Sequence, residues 1–227
     1  MATTTLGSAG FSEKISLKKI LLICGILSSL FYIGINIFVP MQYAGYNAAS
    51  QTVSELSAID TPTRSLWVLL VTFYSMLVIA FGWGVLKAAG QNGKLRLAGW
   101  LLIVYTVVGI FWPPMHQREA LAAGAGSLTD TLHIVWTMVT IPLMLLIMGF
   151  GAAAFGKRFR LYTIVSIVVL IGFGVLTGLD SANMEANLPT PWMGVWERIC
   201  MFAYMLWVIV FAAILFRSEK LRQRRTD

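Results

Sequence analysis

Six long apolar runs decide what this chain can fold into. They cover residues 20–39, 65–86, 97–112, 133–155, 161–179 and 199–216. A helix that crosses a bilayer needs about 20 predominantly apolar residues. The runs meet that requirement, and the shortest, 97–112, is expected to borrow a turn at one end. They are continuous and show no alternation, which disfavours strands. Only 12% of the 227 residues are charged, against 58% apolar, whereas a soluble domain carries about a quarter charged residues. Folding on itself cannot hide this much apolar surface, so lipid must serve as solvent. The expected fold is all-α: an integral membrane bundle of six transmembrane helices spanning 20–216, flanked by an N-terminal segment 1–19 and a basic tail 217–227. The first run is longer than a signal-peptide core and lacks a small-residue cleavage site after it, so it is read as retained.

Lys and Arg then set the orientation. One set of connections holds Lys14, Lys18 and Lys19; Lys87, Lys94 and Arg96; Lys157, Arg158 and Arg160; and Arg217, Lys220, Arg222, Arg224 and Arg225. The alternate connections hold only Arg64, Arg118 and Arg198. Both termini are therefore expected in the cytoplasm. This distribution accounts for the net charge of +7, so the expected partner is the bilayer and not nucleic acid. Two cysteines, Cys24 and Cys200, are too few for a disulfide scaffold and fall at different expected depths.

The acids follow the opposite rule. Glu55, Asp60, Glu119, Asp130, Asp180, Glu185 and Glu197 fall on the expected extracytoplasmic side, as do both histidines, His116 and His133. The connections there, 40–64, 113–132 and 180–198, are longer than the inner ones. Long loops on a rigid scaffold tend to carry function, so any chemistry is expected at that face.

Four stretches stand out. In "DTLH", Asp130 and His133 share one helix face. Thr129 or Asp130 can cap the helix, and Asp130 can accept from one imidazole nitrogen, leaving the other for a metal or substrate. The bland alternative is a cap and a bond at the interface. His116 follows the helix-ending "WPP" and either folds back toward His133 or is solvated. Beside it, Arg118 and Glu119 pair with each other or with neighbouring loops. "SQTVSELSAIDTPTR" is either a loop lying on the bilayer or one folded into the bundle mouth, presenting Ser54 and Glu55. In "LPTPWMGVWERIC", Thr190 can cap and Pro191 suits the first helical position. Trp192 and Trp196 belong at the interface. Glu197 and Arg198 point about 100° apart and need separate partners, for example Arg198 with Asp130 or Glu55. No Gly-X-Ser-X-Gly, His-Glu-X-X-His, Cys-pair or phosphate-loop motif occurs. No charge sits mid-span, which speaks against an ion-coupled pump.

"SELSAIDTPTR", "FWPPMH", "LTDTLHIVW" and "MGVWERI", in this order, resemble the bacterial and archaeal membrane family called domain of unknown function 998. The resemblance covers about 20–216 and implies a six-helix protein of the cell (inner) membrane with no assigned activity. The matching positions are Ser54, Glu55, His116, Asp130, His133, Glu197 and Arg198. A looser likeness is to the CREST membrane hydrolases, which use Ser, Asp and His around zinc. This chain has six spans where those have seven, and lacks their paired histidines on a late helix.

The leading expectation is a membrane module, structural or binding a lipid or small molecule. The small-residue run "GFGAAAFG" would let helices approach closely at its inner end. The alternative is a metal-dependent hydrolase of a lipid ester, amide or phosphoester. In it, His116, His133 and Asp130 would hold a zinc. Glu55, Ser54 and Glu197 would be catalytic, and Arg198, Arg64 and Trp196 would bind substrate. A small-molecule transporter is the second alternative.

Overall fold

A computed structural model describes residues 16–223, with side chains through 221. Eight α-helices are present among the described residues: α1 (Leu17–Phe38), α2 (Arg64–Ala89), α3 (Gly93–Ile110), α4 (Arg118–Ala122), α5 (Leu128–Ala153), α6 (Lys157–Leu179), α7 (Ser181–Glu185) and α8 (Met193–Gln223). Short 3-10 turns occupy Pro40–Gln42 and Ser54–Ser57. All but α4 belong to segments long and apolar enough to cross a membrane, six in total, with α6 and α7 sharing the segment Lys157–Glu185. Lys14, Glu13, Arg224, Arg225 and Asp227 lie outside the described residues, as does the side chain of Arg222.

The helix ends follow local chemistry. The short third run gains its extra turn at the N-terminal end. There Asn92 accepts from the Leu95 N–H and starts α3 at Gly93. At the other end α3 stops at Ile110, before Trp112, because a residue preceding proline is pushed out of the helical region. α4 closes on Gly124, whose φ of 84° places it in the left-handed region. Its N–H reaches the Leu121 carbonyl and that of Ala125 reaches Ala120. A side chain at Gly124 would strain this C-terminal cap.

The spans form an almost closed ring in the order α6, α8, α1, α2, α3, α5. α8 is the most enclosed: 44% of its apolar window is buried inside the protein, against 17% for α6. Between α5 and α6 the ring touches only sparingly, leaving a seam. Away from that seam the helices approach closely where side chains are missing. A Cβ at Gly25 would lie 2.7 Å from the Phe81 ring, and one at Gly84 would lie 2.8 Å from Leu21 Cβ. The expected close approach at "GFGAAAFG" is also present: a Cβ at Gly151 would lie 2.8 Å from the Trp207 ring. Trp207 is fully buried, sits 4.9 Å from Phe211 centroid to centroid, and donates from Nε1 to Thr163 Oγ1 at 2.8 Å. This packing fills the bundle at the end remote from the long loops. On α2, Leu69, Phe73 and Met76 instead face outward, more than half exposed, as residues solvated by lipid chains would.

Candidate functional site

The loop 43–63 folds into the mouth of the bundle, one of the two alternatives open in the sequence. Arg118, on α4, anchors it. Its Nε donates to Glu55 Oε1 at 2.7 Å and its Nη2 to Glu55 Oε2 at 2.9 Å. The guanidinium also reaches Thr190 Oγ1 at 3.1 Å and the Ser50 carbonyl at 3.2 Å. The Glu55 oxygens further accept from the Thr52 N–H, the Thr52 hydroxyl and the Gln51 side-chain amide. Glu55 is 2% exposed, so a lone carboxylate there would be costly. The hydrogen bonds that Arg118 donates to Glu55 raise the Arg118 pKa above its ordinary value. The fork geometry is the one in which Arg holds a carboxylate best.

The start of α8 holds the same loop from another side. Arg198 Nη1 donates to the carbonyls of Ala48 at 2.7 Å and Gln51 at 3.1 Å, and its Nη2 to Tyr46 Oη at 2.7 Å. Tyr46 Oη in turn donates to the Thr52 carbonyl at 2.7 Å. Burial raises the Tyr46 pKa, so the hydroxyl remains a donor. Glu197 accepts from the Val53 N–H, and the Val195 N–H reaches the Ala49 carbonyl. Gly194 makes this approach possible, because a Cβ there would run into the Gln51 and Ala48 carbonyls.

Two expected pairings are corrected here. Arg198 bonds carbonyl oxygens and Tyr46 rather than Asp130 or Glu55; the partner of Glu55 is Arg118. Thr190 does not cap α8. Its hydroxyl donates to the Ser50 carbonyl at 2.9 Å and accepts from Arg118 at 3.1 Å.

The histidines divide differently from the "DTLH" expectation. The N-cap of α5 is Ser127, not Thr129 or Asp130, and Asp130 reaches back from the third position to the Ser127 N–H at 2.9 Å. Its carboxylate then binds His116 twice, through the backbone N–H at 2.7 Å and ring Nδ1 at 2.9 Å. Thus Asp130 holds His116, not His133. His133 Nδ1 lies 2.7 Å from the Pro113 carbonyl oxygen, and its Nε2 lies 3.2 Å from Ser54 Oγ. A carbonyl oxygen can only accept, so Nδ1 carries the proton. In the neutral ring Nε2 then presents its lone pair to the Ser54 hydroxyl. Trp136, tied through Nε1 to the Val108 carbonyl at 2.9 Å, flanks the imidazole at 6.0 Å between centroids.

Ser54, His133 and Glu197 line one end of an interior cavity of about 230 Å³. Its remaining wall is mostly apolar or aromatic, including Tyr32, Trp67, Tyr105, Met144 and Leu170. The same three polar residues also line a wider groove at the α5–α6 seam. Ile134 and Met138 of α5 and Ile171 and Val175 of α6 form its apolar rim, each more than 40% exposed. The cavity is therefore open sideways, toward the surface that faces lipid.

The family described as "Protein of unknown function (DUF998)" matches residues 26–214, most of the chain. The chain belongs to the DUF998 family. No curated protein and no solved structure matches it, so the looser likeness to CREST hydrolases has no support beyond residue types.

In this DUF998 chain the nine residues singled out from sequence separate into distinct places. Ser54, His133 and Glu197 meet at the cavity. Glu55 is turned away from it and enclosed by Arg118 and Thr52. Arg64 donates to the Ser57 carbonyl at 2.6 Å and lies over the Trp112 ring at 5.6 Å. Arg198 serves the loop backbone, and Trp196 lines neither cavity nor groove. His116, His133 and Asp130 are not gathered as a ligand set. Among the described residues, no cluster of three or more His, Cys, Asp or Glu side chains is placed to hold a metal ion. Asp130 occupies His116 Nδ1, while the Pro113 carbonyl and Ser54 occupy both nitrogens of His133. The residues present do not fit a zinc centre.

Of the two pairings open for Arg118, the one with a neighbouring loop is present, through Glu55 and the Ser50 carbonyl, while the Pro113 carbonyl and Gly194 had no role assigned from sequence. Arg118 carried one usable signal, as the one Lys or Arg in the connection 113–132, which also holds Glu119 and Asp130. The Pro113 carbonyl carried none, because a backbone acceptor is invisible in a residue string.

Proposed function

We propose that this protein binds a lipid-like amphiphile at the extracytoplasmic end of the bundle, with its polar group beside Ser54, His133 and Glu197 and its apolar part between α5 and α6. One observation carries this reading: an interior cavity with a polar end and apolar walls opens through a seam onto the lipid-facing surface. Ligand sites are typically concave and mostly apolar, with a few convergent polar groups fixing orientation. The concentration of Lys and Arg at the opposite ends of the helices supports the orientation. The Arg118–Glu55 pair and the Arg198 contacts then serve as scaffold, holding the loop that presents Ser54.

The test is native mass spectrometry of protein purified in mild detergent, wild type beside Gly109→Phe. Gly109 lines the cavity, and a Cβ there meets nothing within 4 Å, so a phenyl ring can enter the space without a clash at its root. Wild type is expected to retain an amphiphile of lipid mass and the variant to lose it while keeping its thermal transition. A wild type that carries none, or a folded variant that carries as much, would overturn the reading.

A further inference from the structure

We propose that Ser54 is a nucleophile activated by His133, and that the amphiphile bound here is a carboxylic ester. The proposal rests on the binding reading above and names its chemistry.

Three features combine at Ser54. Its Oγ stands 3.2 Å from His133 Nε2, the distance of a nucleophile and its general base in a resting site. The imidazole is fixed in the tautomer a base needs, because Nδ1–H is committed to the Pro113 carbonyl at 2.7 Å. In a Ser-His-Asp triad a carboxylate does this orienting; here a proline-turn carbonyl supplies the acceptor without adding a charge. Finally, Ser54 borders the cavity and the groove and is only partly enclosed, so an ester arriving from lipid can reach it. Ser57 lines the cavity as well, but its hydroxyl donates to the Ser54 carbonyl at 3.0 Å and has no base beside it.

The backbone around Ser54 is held as a positioned nucleophile requires. Glu197 accepts the N–H of Val53, the preceding residue, and Arg118 grips Glu55, the following one. Both are positioning residues. A side chain that merely bridged two helices would need neither clamp nor an opening to lipid.

The step balances with the ester and water alone. Ser54 Oγ forms a bond to the ester carbonyl carbon while its proton passes to His133 Nε2. The carbon–oxygen bond to the alcohol portion breaks, and the departing alkoxide takes that proton. Water then adds to the acyl-serine, giving its proton to His133 Nε2. The bond to Ser54 Oγ breaks, Oγ recovers the proton, and the carboxylic acid leaves.

The experiment treats full-length protein in detergent with an alkyl fluorophosphonate, which loses fluoride when a serine oxygen attacks its phosphorus. Wild type is expected to gain one adduct, mapped by peptide mass to Ser54. Ser54→Ala is expected to gain none, and His133→Gln to react about 100-fold more slowly while keeping its thermal transition. Folded wild type that gains no adduct at Ser54 overturns the proposal, as does a folded His133→Gln that reacts at the wild-type rate. Should His133→Gln fail to fold, continued release of nitrophenolate, beyond one equivalent, from p-nitrophenyl octanoate by wild type, absent in Ser54→Ala, supports the proposal, and its absence in wild type overturns it. Native mass spectrometry of Ser54→Ala separates the two readings. An amphiphile retained without any serine reactivity removes the nucleophile and leaves the binding site standing. Reactivity without a retained amphiphile does the reverse.

Discussion

Arg118 and Glu55 lie 63 positions apart in the chain and meet as a two-pronged pair, with N–O distances of 2.7 and 2.9 Å and both side chains less than 10% exposed. One sits in a five-residue helix and the other in a 3-10 turn, and neither element is long enough to hold its shape alone. The pair fixes the loop over the bundle mouth.

Removing one partner should therefore cost more than removing both. Arg118→Ala leaves Glu55 buried and unpaired and is expected to destabilise by about 3–5 kcal/mol. Arg118→Met combined with Glu55→Leu is expected to recover much of that loss. Thermal unfolding in detergent measures both, and a single-variant loss within about 0.5 kcal/mol, the range of ordinary surface substitutions, would count against the clamp.

Gly194→Ala should disturb the same loop from the α8 side. The new methyl group meets the Gln51 and Ala48 carbonyls, which are backbone and cannot swing aside. A loss of about 1–3 kcal/mol is expected, with faster hydrogen exchange at Val195, whose N–H bonds Ala49. Unchanged exchange there would mean the loop yields freely.

Two glycines in α1 and α2 give a matched contrast. Gly84→Ala places a Cβ 2.8 Å from Leu21 Cβ and 3.0 Å from its backbone carbon, so the helices must separate and the melting temperature should fall. Gly34→Ala meets nothing within 4 Å and should leave it unchanged or slightly higher, since alanine favours helix. Equal effects would argue against close α1–α2 packing.

Asp130→Ala should loosen the turn that precedes α5. It removes the acceptor for the Ser127 N–H and both bonds to His116. About 1 kcal/mol is expected from the cap, with hydrogen exchange rising across 114–127 and little change in the body of α5. Exchange confined to the wild-type pattern would contradict the role.

Orientation is open to direct labelling. With Cys24 and Cys200 replaced by serine, Met41→Cys, at a position 76% exposed, should react in intact cells with a membrane-impermeant maleimide. Gln91→Cys, exposed at the other end of α2, should react only after lysis. The reverse pattern would invert the topology.

What the sequence determined by itself was the solvent and the number of crossings. Hydropathy and helix length are properties of contiguous residues, so six spans were legible in 20–216 without any knowledge of partners. The gathering of polar residues in the long connections was legible for the same reason. Ser54, His133 and Glu197 could be singled out because His133 and Glu197 are reactive types near the end of a span and Ser54 lies in the polar stretch of the long connection 40–64.

Only the tertiary structure decided who meets whom. "DTLH" suggested an Asp130–His133 pair from helical spacing, yet Asp130 turns back to the start of α5 and holds His116. That leaves His133 to the Pro113 carbonyl and Ser54, 79 positions away in the chain. Glu55 looked available and is enclosed, because Arg118 arrives from a loop whose path no local pattern encodes. The opening between α5 and α6 is likewise a property of how the ring closes. Local propensity fixes each helix, but the choice among several acceptors for one buried donor depends on distances that exist only once all six helices have packed.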